Sequence, residues 1–111
     1  MPLETVANWL KNENKNSNPE VYMENLDEDL KKIQKQKIFK SELSKYTALG
    51  NKLRLSIYRI LQERRELCTC AISELFDVKP ATLSHHLKIL QEADLIDNNR
   101  RGLFTVYKIK A

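Results

Sequence analysis

Several residue types are scarce in this chain, and each scarcity removes a class of protein. Only two cysteines occur among 111 residues, one position apart as Cys68 and Cys70, so the cross-linked framework that braces small secreted domains is excluded. The two glycines do not make a phosphate-cradling loop. The two histidines, His85 and His86, are adjacent, so a helix turns them about 100° apart onto different faces, which leaves no base and orienting group for a nucleophile. Catalysis is therefore not expected. No apolar run approaches the roughly eighteen residues of a membrane span, and the N-terminus lacks the basic-then-apolar layout of a secretion signal. These features imply a cytoplasmic chain with reduced thiols. With 41% hydrophobic and 31% charged residues it is expected to be globular, with a core small enough to benefit from dimerisation.

Positive charge is present but uneven. Residues 1–50 hold eight Lys/Arg and eight Asp/Glu, whereas residues 51–111 hold eleven and seven, so the whole formal net charge of +4 falls in the second part. A modest surplus placed there is consistent with contact to a polyanion.

The stretch Lys79-Pro80-Ala81-Thr82-Leu83-Ser84-His85-His86-Leu87-Lys88-Ile89-Leu90 has two distinct faces when wound as a helix. Pro80 suits the first helical position, where its missing N–H costs nothing. Leu83, His86, Leu87 and Leu90 share one sector, and Ala81, Ser84, His85 and Lys88 the opposite one. Small and polar donors of this kind suit a helix lying in a DNA major groove. Upstream, Cys70–Phe76 is a second short apolar-periodic segment, separated by Asp77-Val78-Lys79. That is helix-turn-helix spacing. Downstream, Leu95-Ile96-Asp97 and Leu103–Ile109 flank an Asn98-Asn99-Arg100-Arg101-Gly102 tip and predict a β-hairpin. The expected fold is mainly α with a small β-hairpin, a winged helix-turn-helix over residues 47–111.

The same residues carry a resemblance. From Ala48 to Lys110 the chain resembles the arsenic-repressor type (ArsR/SmtB-type) of winged-helix transcriptional regulators. The matching segments are Leu49–Ile57, Glu66-Leu67-Cys68-Thr69-Cys70, Pro80–Leu90 and the wing ending Gly102–Tyr107. Two positions depart from the family pattern: Lys79 stands where a helix-capping Ser is usual, and Asp94 where Gly is usual. Many members also carry a helix after the second wing strand, and this sequence offers no residues for one.

The resemblance implies a repressor bound to double-stranded operator DNA. It also implies that the Cys-x-Cys pair, Cys68 and Cys70, supplies ligands for arsenite, antimonite or a soft divalent metal ion, whose binding releases the DNA. No cofactor is required. Two sulfurs are fewer than such ions prefer, so a third ligand would come from a small thiol or another protomer. Two other readings of the pair stay open: reversible oxidation of low-pKa thiols at a helix start, and plain packing. A bond between Cys68 and Cys70 themselves is expected to be strained. The expected DNA contacts are Thr82, Ser84, His85 and Lys88, with Lys79 at the helix start and Arg100 and Arg101 in the wing. A winged helix used for protein–protein contact is the alternative of a different class, against which the polar face from Ala81 to Lys88 speaks.

Residues 1–18 read as a short amphipathic segment, with Leu3, Val6, Ala7 and Leu10 at helical spacing, followed by an Asn-rich linker. Residues 19–46 read as one long helix opened by Asn18 and Pro19, with Tyr22, Leu26, Leu30 and Ile33 forming a packing stripe. The family pairs through its first and last helices, so this N-terminal helix is the expected homodimer contact.

Overall fold

A computed structural model describes residues 3–15 and 17–110. Its helices are α1 (Leu3–Asn12), α2 (Pro19–Lys35), α3 (Lys37–Leu49), α4 (Lys52–Arg64), α5 (Thr69–Phe76) and α6 (Pro80–Glu92), and its strands are β1 (Glu66–Cys68), β2 (Ile96–Arg101) and β3 (Phe104–Ile109). The chain divides at residue 40 into two units.

In the first unit, side-chain chemistry sets the start of α2. Asn18 Oδ1 accepts the Glu20 N–H at 2.8 Å while Pro19 occupies the first turn. Helix α1 packs on α2, with the Trp9 ring edge-on to Tyr22 at 5.7 Å and the Lys15 ammonium 5.1 Å from the Trp9 centroid. The single helix expected over 19–46 is instead two. Gln36 leaves helical geometry at φ −66°, ψ 141°. The apolar stripe lapses after Ile33, and Lys31, Lys32, Lys35 and Lys37 crowd like charges into two turns, so neither packing nor electrostatics holds the helix continuous there. No residue of α2 is buried; Leu26, Leu30 and Ile33 are all half exposed.

The second unit is organised by the apolar faces of α4 and α6. Asn51 caps α4 by accepting the Arg54 N–H at 3.1 Å, and Ile57 and Leu61 of that helix are fully buried. Leu83, Leu87 and Leu90 of α6 meet them, together with Ile72 of α5 and Ile96 at the start of β2. Burying each such side chain contributes about 1.5–3 kcal/mol, which fixes the orientation of α6 and so decides which face it shows to solvent.

The sheet has three antiparallel strands in the order β1-β3-β2, one more than the expected hairpin. Cys68 pairs with Val106 and Glu66 with Lys108 on one side of β3; Arg101 pairs with Phe104 on the other. A three-residue strand carries too little alternation to be read from sequence. The hairpin tip is also tighter than expected. It is the pair Gly102-Leu103, with Gly102 at φ 62°, so Asn98 to Arg101 lie on the strand.

Both departures from the family pattern have a structural counterpart. Lys79 occupies the N-cap of α6 and makes no side-chain cap. Asp94 sits at φ 59°, a left-handed conformation that glycine adopts freely and that Asp tolerates better than most residues, and its carboxylate pairs with the Lys110 ammonium at 2.8 Å.

Candidate nucleic-acid interface and thiol pair

Helix α5 ends on Asp77 in a left-handed conformation, and the three-residue turn Asp77-Val78-Lys79 leads directly into α6. Ser73 closes the turn from both sides. Its hydroxyl donates to the Val78 carbonyl at 2.9 Å, and its own carbonyl accepts the Val78 N–H at 3.3 Å. The helix-turn-helix angle therefore rests on local hydrogen bonds as well as on the shared core.

With Leu83, Leu87 and Leu90 inward, Ala81, Thr82, Ser84, His85 and Lys88 are all exposed, and Lys79 stands exposed at the helix start. The fold thus leaves exposed on α6 the four helical contacts expected from the sequence, Thr82, Ser84, His85 and Lys88. Lys88 is 3.9 Å from Glu92, both ends largely in solvent, so its ammonium is loosely held. His86 is half-buried and serves a different end. Its Nδ1 receives an Arg54 N–H at 3.1 Å, and the Nε of Arg54 donates to the Ala48 carbonyl at 2.7 Å. Burial is the largest cause lowering the His86 pKa, followed by the Arg54 and His85 charges.

The wing arginines are not equivalent. Arg100 is exposed, and its Nε donates to the Gly102 carbonyl at 3.3 Å, a contact that does not use the terminal nitrogens. Arg101 is gripped by Glu66, each terminal nitrogen donating to one carboxylate oxygen at 2.8 Å. That pairing raises the Arg101 pKa and lowers that of Glu66. The sequence places Arg101 in the wing as an expected DNA contact and carries no sign of its partner Glu66, 35 positions away.

The thiols depart most from expectation. Cys68 and Cys70 are joined to each other by a disulfide. Cys68 is the N-cap of α5, in extended geometry at φ −71°, ψ 155°, and Cys70 lies in the first helical turn. The change from strand to helix between them sets their Cα atoms 5.3 Å apart, inside the span a disulfide bridges, which is why the closeness in sequence does not forbid the bond. Cys68 Sγ also accepts the Ala71 N–H at 3.1 Å, the capping role usually taken by Ser or Asp. Thr69 ties this corner to the wing through a 3.2 Å hydrogen bond to the Thr105 carbonyl.

While bonded, neither sulfur is a thiolate donor, so a thiophilic ion does not fit this form. Reduction frees two donors. Among the described residues no group of three or more His, Cys, Asp or Glu side chains is placed to hold a metal ion, and no helix is long and apolar enough to cross a membrane.

A helix-turn-helix with a polar outer face, followed by a wing with an exposed arginine, defines a winged-helix DNA-binding protein. Residues 51–98 match the family model described as bacterial regulatory protein, arsR family. The chain is 39% identical over 75 residues to the arsenical resistance operon repressor of Bacillus subtilis, covering 63% of this chain and 71% of that one. It is 35% identical over 65 residues to the cadmium resistance transcriptional regulatory protein CadC of Listeria innocua, covering 59% of this chain and 55% of the relative, little more than half its length. The fold is similar to a homodimeric winged helix-turn-helix DNA-binding domain from Mycobacterium bovis, with a TM-score of 0.65, 26% identity and coverage of 70% of this chain and 71% of that one. The chain belongs to the arsR family and is a winged-helix transcriptional regulator.

Proposed function

We propose that this chain is a repressor that binds operator DNA as a homodimer and is released when a thiophilic metal or metalloid engages Cys68 and Cys70 in their reduced form. The observation that carries the reading is the position of Cys68, which is at once the last residue of β1, paired with β3 of the wing, and the cap of α5, the helix packed ahead of the reading helix α6. A change at its sulfur alters the start of α5 and the edge of the wing together. A shift of about 1–3 kcal/mol between DNA-binding states is a normal coupling strength and asks for only a small tilt.

The names of the relatives support the inducer class, since one is an arsenical and another a cadmium resistance regulator. Arsenite, antimonite, cadmium and related soft ions are the candidates, with the third ligand supplied by a small thiol or by the second protomer. In this reading Lys79, Thr82, Ser84, His85 and Lys88 meet base edges and phosphates in the major groove, and Arg100 meets phosphate or the adjacent minor groove. The dimer forms through the N-terminal helices. The exposed stripe of Leu26, Leu30 and Ile33 along α2 favours a second copy of the same helix, and the M. bovis neighbour is described as homodimeric.

A second reading is favoured by the disulfide itself. Oxidation and ion binding compete for the same two sulfurs, so an oxidised chain is blind to the ion, and the pair can respond to oxidant directly. The deciding experiment is binding of reduced protein to fluorescent DNA from its own upstream region, titrated with arsenite, antimonite, cadmium, lead and zinc. A Cys68→Ser/Cys70→Ser variant runs alongside. Release of the wild type by one ion, with the variant unmoved, names the inducer; release by peroxide alone supports the redox reading; no release by either removes the cysteines as the trigger.

A further inference from the structure

The bidentate contact between Glu66 and Arg101 has a position that suits regulation. Glu66 stands two residues before Cys68 on β1, so the two share a face of that strand. The register continues that face across the sheet: Glu66 pairs with Lys108, Lys108 and Phe104 are four apart on β3, and Phe104 pairs with Arg101. The ion pair therefore spans β3 diagonally, from the sulfur-bearing edge strand to the end of β2 beside the wing tip.

We propose that Glu66 is a built-in competitor for the phosphate that Arg101 would otherwise contact, an electrostatic latch between the strand of the thiol pair and the wing. A guanidinium with each terminal nitrogen already given to one carboxylate presents little charge to a phosphate, and both partners remain half exposed, so a polyanion can reach the pair and exchange with it. Arg101 binds DNA when Glu66 yields. Because Glu66 and Cys68 belong to the same three-residue strand, any event at the sulfurs that shifts β1 changes the strength of the latch. Glu66 is thus a positioning residue, acting on DNA through Arg101. The inference extends the DNA-binding reading above to a residue of the wing and rests on it.

The test is the affinity of full-length protein for duplex DNA across a salt series, for wild type, E66Q, R101Q and E66Q/R101Q, with E63Q as a control carboxylate on α4 and a thermal melt for each. The latch predicts that E66Q binds roughly 5–10-fold tighter near 0.1 M salt, and that its slope of log affinity against log salt steepens by about 0.9 for each protomer's Arg101. In the double variant both gains vanish, and E63Q shows neither. A gain that survives removal of Arg101, or that E63Q reproduces, is a general charge effect and overturns the latch. So does weaker binding by E66Q, which would mean that Glu66 presents Arg101 to DNA. Phosphate contacts are independent of sequence, so the series is run on upstream DNA and on an unrelated duplex. Equal affinity of wild type for the two speaks against the operator reading, while the change of slope still decides the latch.

Discussion

Arg54 donates one guanidinium N–H to Nδ1 of His86 at 3.1 Å, joining α4 to α6. Because guanidinium can only donate, Nδ1 is the acceptor and the ring proton belongs on Nε2. The imidazole is thus held neutral, and protonation breaks the contact.

The consequence for stability has a definite sign. The His86 pKa lies below its ordinary 6.5, with burial the largest cause. As pH falls, the unfolded chain takes up this proton first, so stability from this group is complete above the ordinary value and declines through it toward the depressed one. Below that, both states are protonated and the loss stops. As pH falls below about 7, the melting temperature of wild type is expected to drop more steeply than that of His86→Gln. Identical slopes would contradict the assignment.

Removing the other partner costs more than the pair. Arg54→Ala strands the Ala48 carbonyl and the His86 acceptor together, and an expected loss of about 1–3 kcal/mol follows from unpairing part-buried polar groups. Urea unfolding reads it directly. Leu87→Ala, at a position 1% exposed between α4 and α6, is expected to cost about 2–5 kcal/mol by the same measurement.

The wing and reading-helix cations have separable signatures. Lys88→Ala is expected to weaken binding to all duplexes alike and to lower the salt slope by roughly one, the mark of a lost phosphate contact, without moving the melting temperature. Arg101→Gln in the otherwise wild-type chain is expected to change affinity far less than Lys88→Ala, since Arg101 is already committed to Glu66.

The N-terminal stripe gives a prediction about assembly. Leu26→Asp/Leu30→Asp places two charges at exposed apolar positions of a helix with no buried residue. Sedimentation should show wild type as a dimer and the variant as a monomer, with the melting of the 41–110 unit retained. A variant that stays dimeric would move the interface elsewhere.

Much of this architecture was legible in the residues. The inward Leu83, Leu87 and Leu90 announce α6 by spacing alone, and the outward Ala81, Ser84, His85 and Lys88 follow from the same count. Asn18-Pro19 marks a helix start by capping chemistry. What escaped is non-local. The break at Gln36 depends on a lapse of packing that an apolar periodicity continued by Ile38 and Leu43 disguises. Strand β1 exists because β3 is there to pair with it, and its three residues carry no pattern of their own. The same absence hid the contact of Glu66 with Arg101, two residues that pair with different positions of β3 and meet only by side chain across it. Nor does the Cys-x-Cys segment show that a strand becomes a helix between its two sulfurs, the change that sets the Cα atoms of Cys68 and Cys70 5.3 Å apart.

The measurement that tests the central claim most directly is the ratio of affinities for the chain's own upstream DNA and a scrambled duplex, at fixed salt, for wild type and for Ser84→Ala/His85→Ala. The account predicts that wild type discriminates by about a thousandfold or more and that the variant loses at least about tenfold of that ratio while its binding to scrambled DNA stays the same. An unchanged ratio in the variant would contradict the assignment of α6 as the helix that reads DNA.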